Sequence, residues 1–333
     1  MRIAIVILNW NGEVLLERYL PLVVQYSKGA DIYVADNAST DRSVSFVKTN
    51  FPTITIIQND TNGGFAKGYN DALKFVDADI FCLLNSDVEV TENWLEPIKE
   101  AYTNIPEAAI IQPKILDLLR RDYFEYAGAA GGFIDQLGYP FCRGRIFMEL
   151  EKDTGQYNDI KEIFWATGAC MFIKSDVFKS LGGFDEDYFA HQEEVDLCWR
   201  AKNAGYRIFY IGTCEVFHLG GSTLSNMNPK KTFLNFRNSL FSITKNLPRR
   251  QAFIIIFLRL MLDAVAGIRF IFQLKFQHFF AIIRAHLSFY SKFWTMYRKR
   301  EKFNFIEKYY VTKSIVWSHF VHHVKNFNTL IKD

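Results

Sequence analysis

The hydrophobic residues of the first hundred positions follow two alternating kinds of spacing. Short apolar runs rich in β-branched residues occupy residues 3–8, 31–36, 54–58 and 80–84. Between these runs, apolar residues recur at helical spacing over residues 13–26, 41–49 and 65–75. Strands that are apolar on both faces and are joined by helix-length connections are typical of a mostly parallel sheet covered by helices. The pattern therefore predicts an α/β fold.

The rest of the chain is less regular, and residues 115–160 show neither period. Elsewhere the spacing predicts helices at 93–102 and 193–204 and strands at 109–112, 167–173 and 207–211. Beyond residue 229 the chain becomes rich in Phe, Ile and Leu, with a basic residue every several positions. This change in composition predicts a domain of residues 1–247 followed by a basic, amphipathic helical region at 248–333. Within the domain, the two halves are residues 1–112 and 113–247.

Polar residues follow each of the first four predicted strands. Because the carboxyl ends of parallel strands meet at one edge of the sheet, where ligands bind in such folds, we expect these residues to form a single binding rim. A carboxylate at the end of the second strand, Asp36, suits a base or ribose contact, although the residues after it also fit a helix start. The rim residues are Asn9, Asn11, Asp36, Asn37, Asn59, Asn85 and Asp87.

A glycine-rich turn, NGGFAKG at residues 62–68, opens the third predicted helix. Its amides, around Gly64, could approach an anion, and Lys67 could add positive charge. The turn lacks both GxGxxG and the P-loop pattern GxxxxGK[ST], and an ordinary tight turn explains it equally well.

Two acidic segments suggest metal binding and proton transfer. Asp87, with Asn85 as a neutral neighbour, could hold Mg²⁺ beside substrate phosphates, or could form an Asx-turn. Glu193 and Glu194 are adjacent at a helix start, where mutual repulsion can raise one pKa and suit a general base; helix-dipole complementarity is the alternative. Asp196 is expected to pair with Arg200. His218 is either a metal or phosphate contact or a buried core histidine, and the core assignment leads on sequence alone.

Charge is divided unevenly along the 333 residues, whose formal net charge is only +3. Residues 1–229 hold 20 basic and 32 acidic side chains, a net charge of −12, whereas residues 230–333 hold 19 basic and 4 acidic, a net charge of +15. The basic segment favours an anionic partner, either nucleic acid or a membrane surface. With 49% hydrophobic residues, 8 Pro and 19 Gly, the composition excludes a disordered or fibrous chain.

In this order the motifs resemble the family 2 glycosyltransferases of the GT-A fold, a nucleotide-diphospho-sugar transferase fold, and in particular a bacterial rhamnosyltransferase-like branch. The resemblance covers roughly residues 1–245, and its motifs are specific in combination. The matching segments are VILNWNG at 6–12, VADNASTD at 34–41, NGGFA at 62–66, LNSD at 84–87, TGACM at 167–171, GFDE at 183–186 and EEVDL at 193–197.

The resemblance implies roles for individual residues. Asp36 would contact the nucleotide base, Asp87 would be the metal-binding carboxylate of a DxD element whose first position is Asn85, and Glu194, beside Glu193, would be the catalytic base. The metal would be Mg²⁺ or Mn²⁺, with His218 and Arg237 as further metal or diphosphate contacts. The implied donor-binding set is Asn9, Asn11, Asp36, Asn37, Gly64, Lys67, Asn85 and Arg237, and the implied acceptor-binding set is Trp165, Gly168 and Ala169.

The implied activity is an inverting hexosyltransferase in cell-surface polysaccharide synthesis. It would move a sugar from a dTDP- or UDP-sugar, for example dTDP-rhamnose, to a hydroxyl of a lipid-linked or growing glycan acceptor. Two alternatives are a nucleotidyltransferase, which shares nucleotide-binding α/β sheets, and a non-catalytic sugar-nucleotide-binding assembly protein, which the asparagine at position 85 would suit.

The basic C-terminal region favours a membrane surface over nucleic acid. Residues 252–262 are apolar but contain Arg259, and no uncharged run reaches the roughly 18–20 residues of a spanning helix. The charged residues that share one side at helical spacing are Arg259, Asp263, Arg284 and Lys292. That pattern fits helices lying in a membrane interface, and the basic cluster at 298–302 suits anionic lipid. Packing on the catalytic domain or a homo-oligomer interface is the alternative, and no nucleic-acid-binding motif is present.

The expected location is cytoplasmic, peripheral on the inner face of the cell membrane. Five widely spaced cysteines without a CxxC pair predict reduced, buried thiols rather than a zinc site or disulfides.

Overall fold

A computed structural model describes residues 1–220, 228–300 and 305–331. Its strands are β1 (Ile3–Asn9), β2 (Asp31–Asp36), β3 (Thr55–Gln58), β4 (Ile80–Asn85), β5 (Val88–Val90), β6 (Ala108–Asp117), β7 (Gly132–Ile134), β8 (Pro140–Cys142), β9 (Arg145–Ile146), β10 (Glu149–Leu150), β11 (Ile160–Glu162), β12 (Cys170–Lys174) and β13 (Arg207–His218). Its helices are α1 (Glu13–Tyr26), α2 (Ser43–Asn50), α3 (Gly64–Leu73), α4 (Leu95–Asn104), α5 (Ser175–Ser180), α6 (Glu193–Asn203), α7 (Pro229–Asn246), α8 (Arg249–Phe272), α9 (Phe276–Arg298), α10 (Ile315–Phe320) and α11 (Phe327–Leu330), with a 3₁₀ turn at Glu186–Tyr188.

The main sheet has nine strands in the order β11-β13-β6-β12-β4-β1-β2-β3, with β5 paired to β13. The four strands β4, β1, β2 and β3 are parallel, and β12 runs antiparallel between β4 and β6. In the register, Asn9 lies opposite Asp36, and Leu8 lies opposite Asn85. The predicted α/β fold class is confirmed, and the carboxyl ends of the parallel strands are level with one another.

Helices cover both faces of this sheet because successive residues of a strand point to opposite faces. On β1, Ala4 and Val6 belong to the core that includes α3, whereas Ile5 and Ile7 belong to the core beneath α1. Residues 115–160, which showed no period in the sequence, contribute all four strands of a second sheet of order β10-β9-β8-β7. The five cysteines are free and buried, as predicted.

The C-terminal region is helical, as predicted, and it packs against the α/β part. Helix α9 packs against α7, and α8 and α9 form a helical hairpin. The chain then returns to the small sheet, where the Phe327 ring lies 4.9 Å from the Phe133 ring and the Ile315 amide donates to Asp135 Oδ2 (2.9 Å). Among the described residues, none of the helices combines the length and the apolarity that crossing a membrane requires.

The α8–α9 hairpin directs charged residues inward and apolar residues outward. Arg259 and Asp263 are buried, with exposures of 2% and 0%. Arg259 Nη2 donates to Ser239 Oγ (2.7 Å), and Asp263 Oδ2 lies 3.0 Å from His286 Nε2. The exposed apolar face of the hairpin consists of Phe253, Ile254, Phe257, Leu258, Met261, Val265, Ile268, Phe272, Leu274, Phe276, Phe280, Ile283, Leu287, Tyr290 and Trp294. The charged stripe seen in the sequence is therefore, at Arg259 and Asp263, an inward contact with the rest of the protein.

Candidate active site

The ends of β1 and β2 are tied together by a buried hydrogen-bond network. Asn9 Nδ2 donates to Asp36 Oδ1 (3.1 Å) and to Ser43 Oγ (2.9 Å). Asp36 Oδ2 accepts from the amide of Ser39 (3.0 Å). Asn9 and Asp36 are both almost fully buried, so this network fixes the orientation of the Asp36 carboxylate. Asn9 thus holds Asp36 in place at the rim.

The neighbouring asparagines join the loops that follow β1, β2 and β3. Asn11 has a positive φ of 49°, and its Oδ1 accepts from the amide of Thr40 (2.7 Å). Asn37 Nδ2 donates to Asn62 Oδ1 and to the carbonyl of Gly64, both at 3.0 Å. The structure therefore brings the predicted donor-side residues together at one edge of the sheet.

The glycine-rich turn at the start of α3 is closed by the loop that precedes α6. The amide of Phe65 donates to the carbonyl of Phe189 (2.8 Å). Gly64 has a φ of +81°, and a Cβ there would lie only 2.4 Å from the same carbonyl oxygen. Lys67 Nζ pairs with Asp71 Oδ2 (2.6 Å). The amide and the lysine that the sequence suggested for an anion thus have partners within the protein.

Asp87 and His218 form a buried pair next to this rim. Strand β5, which follows Asp87, pairs with the end of β13, so that His218 lies opposite Val88. His218 Nε2 is 3.1 Å from Asp87 Oδ1, and His218 Nδ1 is 3.3 Å from Glu125 Oε2. Burial lowers the pKa of His218, but the carboxylates of Glu125 and Asp87 outweigh it and raise that pKa well above its usual value.

The Asp87–His218 pair has the donor chemistry that a divalent cation needs. A carboxylate oxygen and, once His218 has lost its extra proton, an imidazole nitrogen suit Mn²⁺, and Mg²⁺ takes one or two carboxylates together with substrate phosphates. Glu125 lies on the other ring nitrogen of His218, an arrangement in which a carboxylate orients a metal-binding histidine. Within residues 1–220, 228–300 and 305–331, no group of three or more His, Cys, Asp and Glu side chains converges as a metal cluster. A cation held by Asp87 and His218 would take further oxygen ligands from substrate phosphates.

The residues predicted for the acceptor side lie beside the end of β4. The carbonyl of Ala169 accepts from the amide of Asn85 (3.0 Å), which fixes the start of β12 to the end of β4. A Cβ on Gly168 would lie 2.8 Å from the Phe65 ring. Trp165 is buried, and its Nε1–H donates to the carbonyl of Phe133 (2.9 Å). Gly168 and Ala169 thus lie at the rim, whereas the indole of Trp165 packs beneath it.

Glu193 and Glu194 begin α6 directly after a strained loop. Phe189, His191 and Gln192 all have φ values of 66–67°, a left-handed conformation that non-glycine residues rarely adopt. Burial raises the pKa of Glu194 to about 7, and nearby backbone amides limit the rise. Burial, together with the Glu194 charge, raises the pKa of Glu193 well above its usual range. Glu194 is the more exposed of the two carboxyl groups.

Basic residues from α7 and α9 hold the segment that leads into this loop. Lys245 Nζ bridges Asp185 Oδ2 (2.7 Å) and Asp196 Oδ2 (2.8 Å). Lys299 Nζ bridges Asp185 Oδ1 (2.6 Å) and Asp187 Oδ2 (2.7 Å). Burial opposes ionisation of Asp187, but Lys292 and Lys299 outweigh it and hold its pKa at about 2.

Arg237 and Arg200 hold further parts of the same segment. Arg237 Nη2 donates to the carbonyls of Asp187 and Tyr188, both at 3.1 Å. Arg200 Nε donates to Asp196 Oδ2 (2.9 Å), which is the ion pair predicted from their spacing. Arg237, predicted as a diphosphate contact, thus uses Nη2 to hold the loop that carries the candidate base.

Three residues near the site were not found from the sequence. Glu125 lies in the aperiodic stretch, and nothing in its neighbours indicates a contact with His218. The ammonium group of Lys231 lies 5.6 Å from the centre of the Tyr126 ring, and the Glu125 charge acts on it. Burial and the charge of Lys231 lower the pKa of His191 to about 4, so its ring is neutral near pH 7. The PKK sequence at 229–231 was the available signal for Lys231.

The fold and the site together define a nucleotide-sugar-dependent glycosyltransferase of the GT-A type. The sequence pattern described as Glycosyl transferase family 2 matches residues 4–182, which is more than half of the chain. The chain belongs to this family, and the predicted resemblance is confirmed.

Relatives and solved structures agree with this assignment. The N-acetylglucosaminyl-diphospho-decaprenol L-rhamnosyltransferase of Mycobacterium tuberculosis is 26% identical over 223 residues, 61% of this chain and 71% of the relative. The crystal structure of GalNAc-T7 with UDP, GalNAc and Mn²⁺ matches with a TM-score of 0.57 at 14% identity, over 74% of this chain and 48% of that one. The mannosyltransferase PcManGT from Pyrobaculum calidifontis, in complex with GDP-Man and Mn²⁺, matches with a TM-score of 0.52 at 12% identity, over 87% of each chain.

Proposed function

We propose that this glycosyltransferase is an inverting, metal-dependent enzyme of cell-surface polysaccharide synthesis. Its donor is a dTDP- or UDP-sugar, with dTDP-rhamnose as the first candidate, and its acceptor is a hydroxyl of a lipid-linked or growing glycan. The observation that carries the proposal is the Glu194 carboxyl, whose pKa of about 7 suits a base at neutral pH. The relative from Mycobacterium tuberculosis, named a rhamnosyltransferase acting on a diphospho-decaprenol, supports the choice of substrates.

The residues of the rim and Glu194 have separate roles in sugar transfer, which is a single displacement at the anomeric carbon. Asp36, oriented by Asn9, binds the base of the donor, and Asn11, Asn37 and Gly64 shape the donor loop. Glu194 accepts the proton of the acceptor hydroxyl as that oxygen attacks the anomeric carbon. The bond between the anomeric carbon and the diphosphate oxygen breaks in the same step. Attack from the side opposite the leaving group inverts the configuration.

Asp87 and His218 would hold the cation, Mg²⁺ or Mn²⁺, and Asn85 is the first residue of the motif at the end of β4. When bound, the cation neutralises the negative charge of the leaving diphosphate. Glu125 orients the imidazole of His218 from its other nitrogen. The solved structures of GalNAc-T7 and PcManGT contain Mn²⁺, which supports this assignment.

The remaining residues of the site shape and position it. Glu193 adjoins Glu194, whose charge helps to raise the pKa of Glu193, while Arg237 holds the carbonyls of Asp187 and Tyr188 before α6. Gly168 and Ala169 form the acceptor side, supported by the buried Trp165. Lys67, which pairs with Asp71, adds positive charge on the donor side.

The exposed apolar face of the α8–α9 hairpin lies on the inner face of the cell membrane. Large apolar patches on a protein surface mark interaction sites, and Phe272 and Leu274 at the turn of the hairpin are 84% and 76% exposed. Exposed basic residues border the face at Arg249, Arg250, Arg269, Arg284 and Arg298. Basic residues near apolar side chains favour the anionic cytoplasmic leaflet. A homo-oligomer that covers the same face is the competing arrangement.

Nucleotide release with defined donors tests the activity. The full chain is incubated with dTDP- and UDP-sugars, Mn²⁺ or Mg²⁺ and a lipid-linked acceptor, and the free nucleotide is identified. Acceptor-dependent release of nucleoside diphosphate is expected. Pyrophosphate release would indicate a nucleotidyltransferase instead. Donor-induced thermal stabilisation without turnover of any donor would indicate a binding protein.

A further inference from the structure

A groove lies between the start of α7 and the first turns of α9. Its volume is about 540 Å³. Its wall combines cationic and apolar side chains contributed by the two helices. Its lining includes Lys230, Phe233, Gln277, Phe280 and Arg284.

The two cations of the groove have aromatic neighbours and no acidic ones. The ammonium group of Lys230 lies 4.9 Å from the centre of the Phe189 ring, and the guanidinium of Arg284 lies 5.8 Å from that of Phe233. In the described part of the chain, no carboxylate lies within 4.0 Å of either cation. This contrasts with Lys245, Lys292 and Lys299, each of which pairs with an aspartate. Lys230 and Arg284 are therefore available to an anion from outside the protein.

The groove connects the candidate active site with the exposed apolar face. Phe189, against which Lys230 packs, is five residues before Glu194, and the next residue, Lys231, feels the charge of Glu125 beside His218. Phe280 is 57% exposed and belongs to the apolar face of the hairpin. The groove lining thus includes a cation that packs against the loop before the candidate base and an aromatic side chain of the surface proposed for the membrane.

We infer that this groove binds the diphosphate and the first lipid units of a lipid-diphosphate-linked acceptor. The phosphates lie between Lys230 and Arg284, and the lipid passes over Phe233 and Phe280 towards the membrane. The two cations would make charge-assisted contacts with the phosphates. The two aromatic rings would bury part of the lipid chain. The inference rests on the proposed function, because it places the acceptor sugar beyond the diphosphate, towards Glu194. The donor diphosphate belongs to the separate Asp87–His218 pair.

Vesicle binding by the full chain tests the groove without requiring sugar transfer. Vesicles of phosphatidylcholine, a lipid without net charge, are prepared with either a polyprenyl diphosphate or phosphatidylglycerol. The two additives are used in amounts that give the vesicles the same total negative charge. The wild-type protein is expected to prefer the polyprenyl diphosphate. The double variant Lys230→Ala with Arg284→Ala is expected to lose about 10- to 100-fold of that preference, since it removes two hydrogen-bonding cations.

Two further variants separate the groove from general charge effects. Lys275→Ala with Arg269→Ala removes the same charge near the hairpin turn and should weaken binding to both vesicles alike. Lys230→Arg with Arg284→Lys keeps both charges and should keep the preference, while circular dichroism and thermal melting verify folding. No preference by the wild type, or an undiminished preference in the folded Lys230→Ala/Arg284→Ala variant, overturns the inference. Failure of sugar transfer alone would instead refute the proposed function.

Discussion

The parallel strands β4-β1-β2-β3 and the α8–α9 hairpin bury opposite kinds of side chain. The strands enclose Val6 and Leu83 and deliver polar groups such as Asp36 to one rim. The hairpin encloses Arg259 and Asp263 and presents apolar side chains to the surroundings. The strands are covered by helices on both faces and present polar groups only at their carboxyl ends, whereas the hairpin has one inward and one outward face. The exposed parts also meet different media, which are water for the rim and, by our proposal, lipid for the outer face of the hairpin.

The charges inside the hairpin are tolerated because each has its own partners, and not because buried charge is favourable in general. A buried ion is costly unless it is paired and hydrogen-bonded. Arg259 meets Ser239, the carbonyl of Leu137 and the face of the Tyr139 ring at 3.6 Å. Asp263 meets His286 and the hydroxyl of Tyr139. These contacts hold the charged side of the hairpin against the rest of the protein, and its apolar face is directed outward.

Replacing the candidate base should have the greatest effect on the rate of sugar transfer while leaving membrane binding intact. Glu194→Gln should lower kcat by about 10²- to 10⁴-fold, because an amide cannot accept the hydroxyl proton. Binding to anionic vesicles should be unchanged, since α6 lies apart from the exposed hairpin face. Rates and vesicle co-sedimentation check this expectation. Glu193→Gln is the matched control: a larger loss of kcat there than at Glu194 would reassign the base.

Removal of a charge from inside the hairpin should affect stability most. Asp263→Ala leaves Arg259 and His286 facing a gap without a carboxylate, and we expect the free energy of unfolding to fall by about 3–5 kcal/mol. Denaturant titration measures this change. Arg298→Ala, at the exposed end of α9, should change stability by less than about 0.5 kcal/mol. A double replacement of Arg259 and Asp263 by Met and Leu that restored stability would show that pairing is the reason for the loss.

Charges on the outer apolar face should weaken membrane binding selectively. Phe272→Glu with Leu274→Glu should reduce partition onto anionic vesicles by about tenfold or more, because apolar burial is lost and like charges repel. Phe75→Glu with Leu119→Glu is a matched control, since both side chains are 74% exposed but lie on the α/β part. Equal losses for the two pairs would contradict a dedicated face, and a change from dimer to monomer in the Phe272/Leu274 variant would favour the oligomer.

The last prediction concerns the pH dependence of kcat/KM, which the ionisation of Glu194 should determine. Glu194 acts as a base only when ionised, and its pKa of about 7 lies above the ordinary carboxyl value. Below pH 7 the carboxyl becomes protonated, so kcat/KM should fall about tenfold per pH unit and level off above pH 7. A profile of kcat/KM against pH, recorded at saturating Mn²⁺, measures this decline. An acid limb near pH 4–5 would show that the base is a carboxyl in an ordinary environment.

Local periodicity predicted the first half of the fold well. Helix α1 and strand β2 have the predicted bounds because each is a single amphipathic or apolar run between clear breaks. Strand β13 extends to His218, past the predicted end at 211, because a register shift between Ile211 and Glu215 interrupts its alternation. The strands β7–β10 are only two or three residues long, and pairing across the chain rather than local spacing creates them.

Contacts between distant residues explain what the sequence did not reveal at the site. The Phe189 carbonyl reaches the start of α3 only because its loop adopts positive φ values under tertiary constraint. Glu125 and His218 are 93 positions apart in the chain, and only the pairing of β6 with β13 brings them together. The same holds for Lys299 and Asp185, whose ion pair joins α9 to the segment before the candidate base. Spacing along one element carries no information about such partners.

The inward charges of the hairpin also impose an order on biosynthesis. Ser239 and Tyr139, which receive Arg259, and Asp187, which receives Lys292, all leave the ribosome before the hairpin does. Nascent chains fold domain by domain from the amino terminus, so these partners are in place when α8 and α9 emerge. A hairpin released without them would keep its charges solvated and would have no fixed outer face. If the outer face attaches to lipid as proposed, the hairpin would present that face only after the partners of its inward charges have folded.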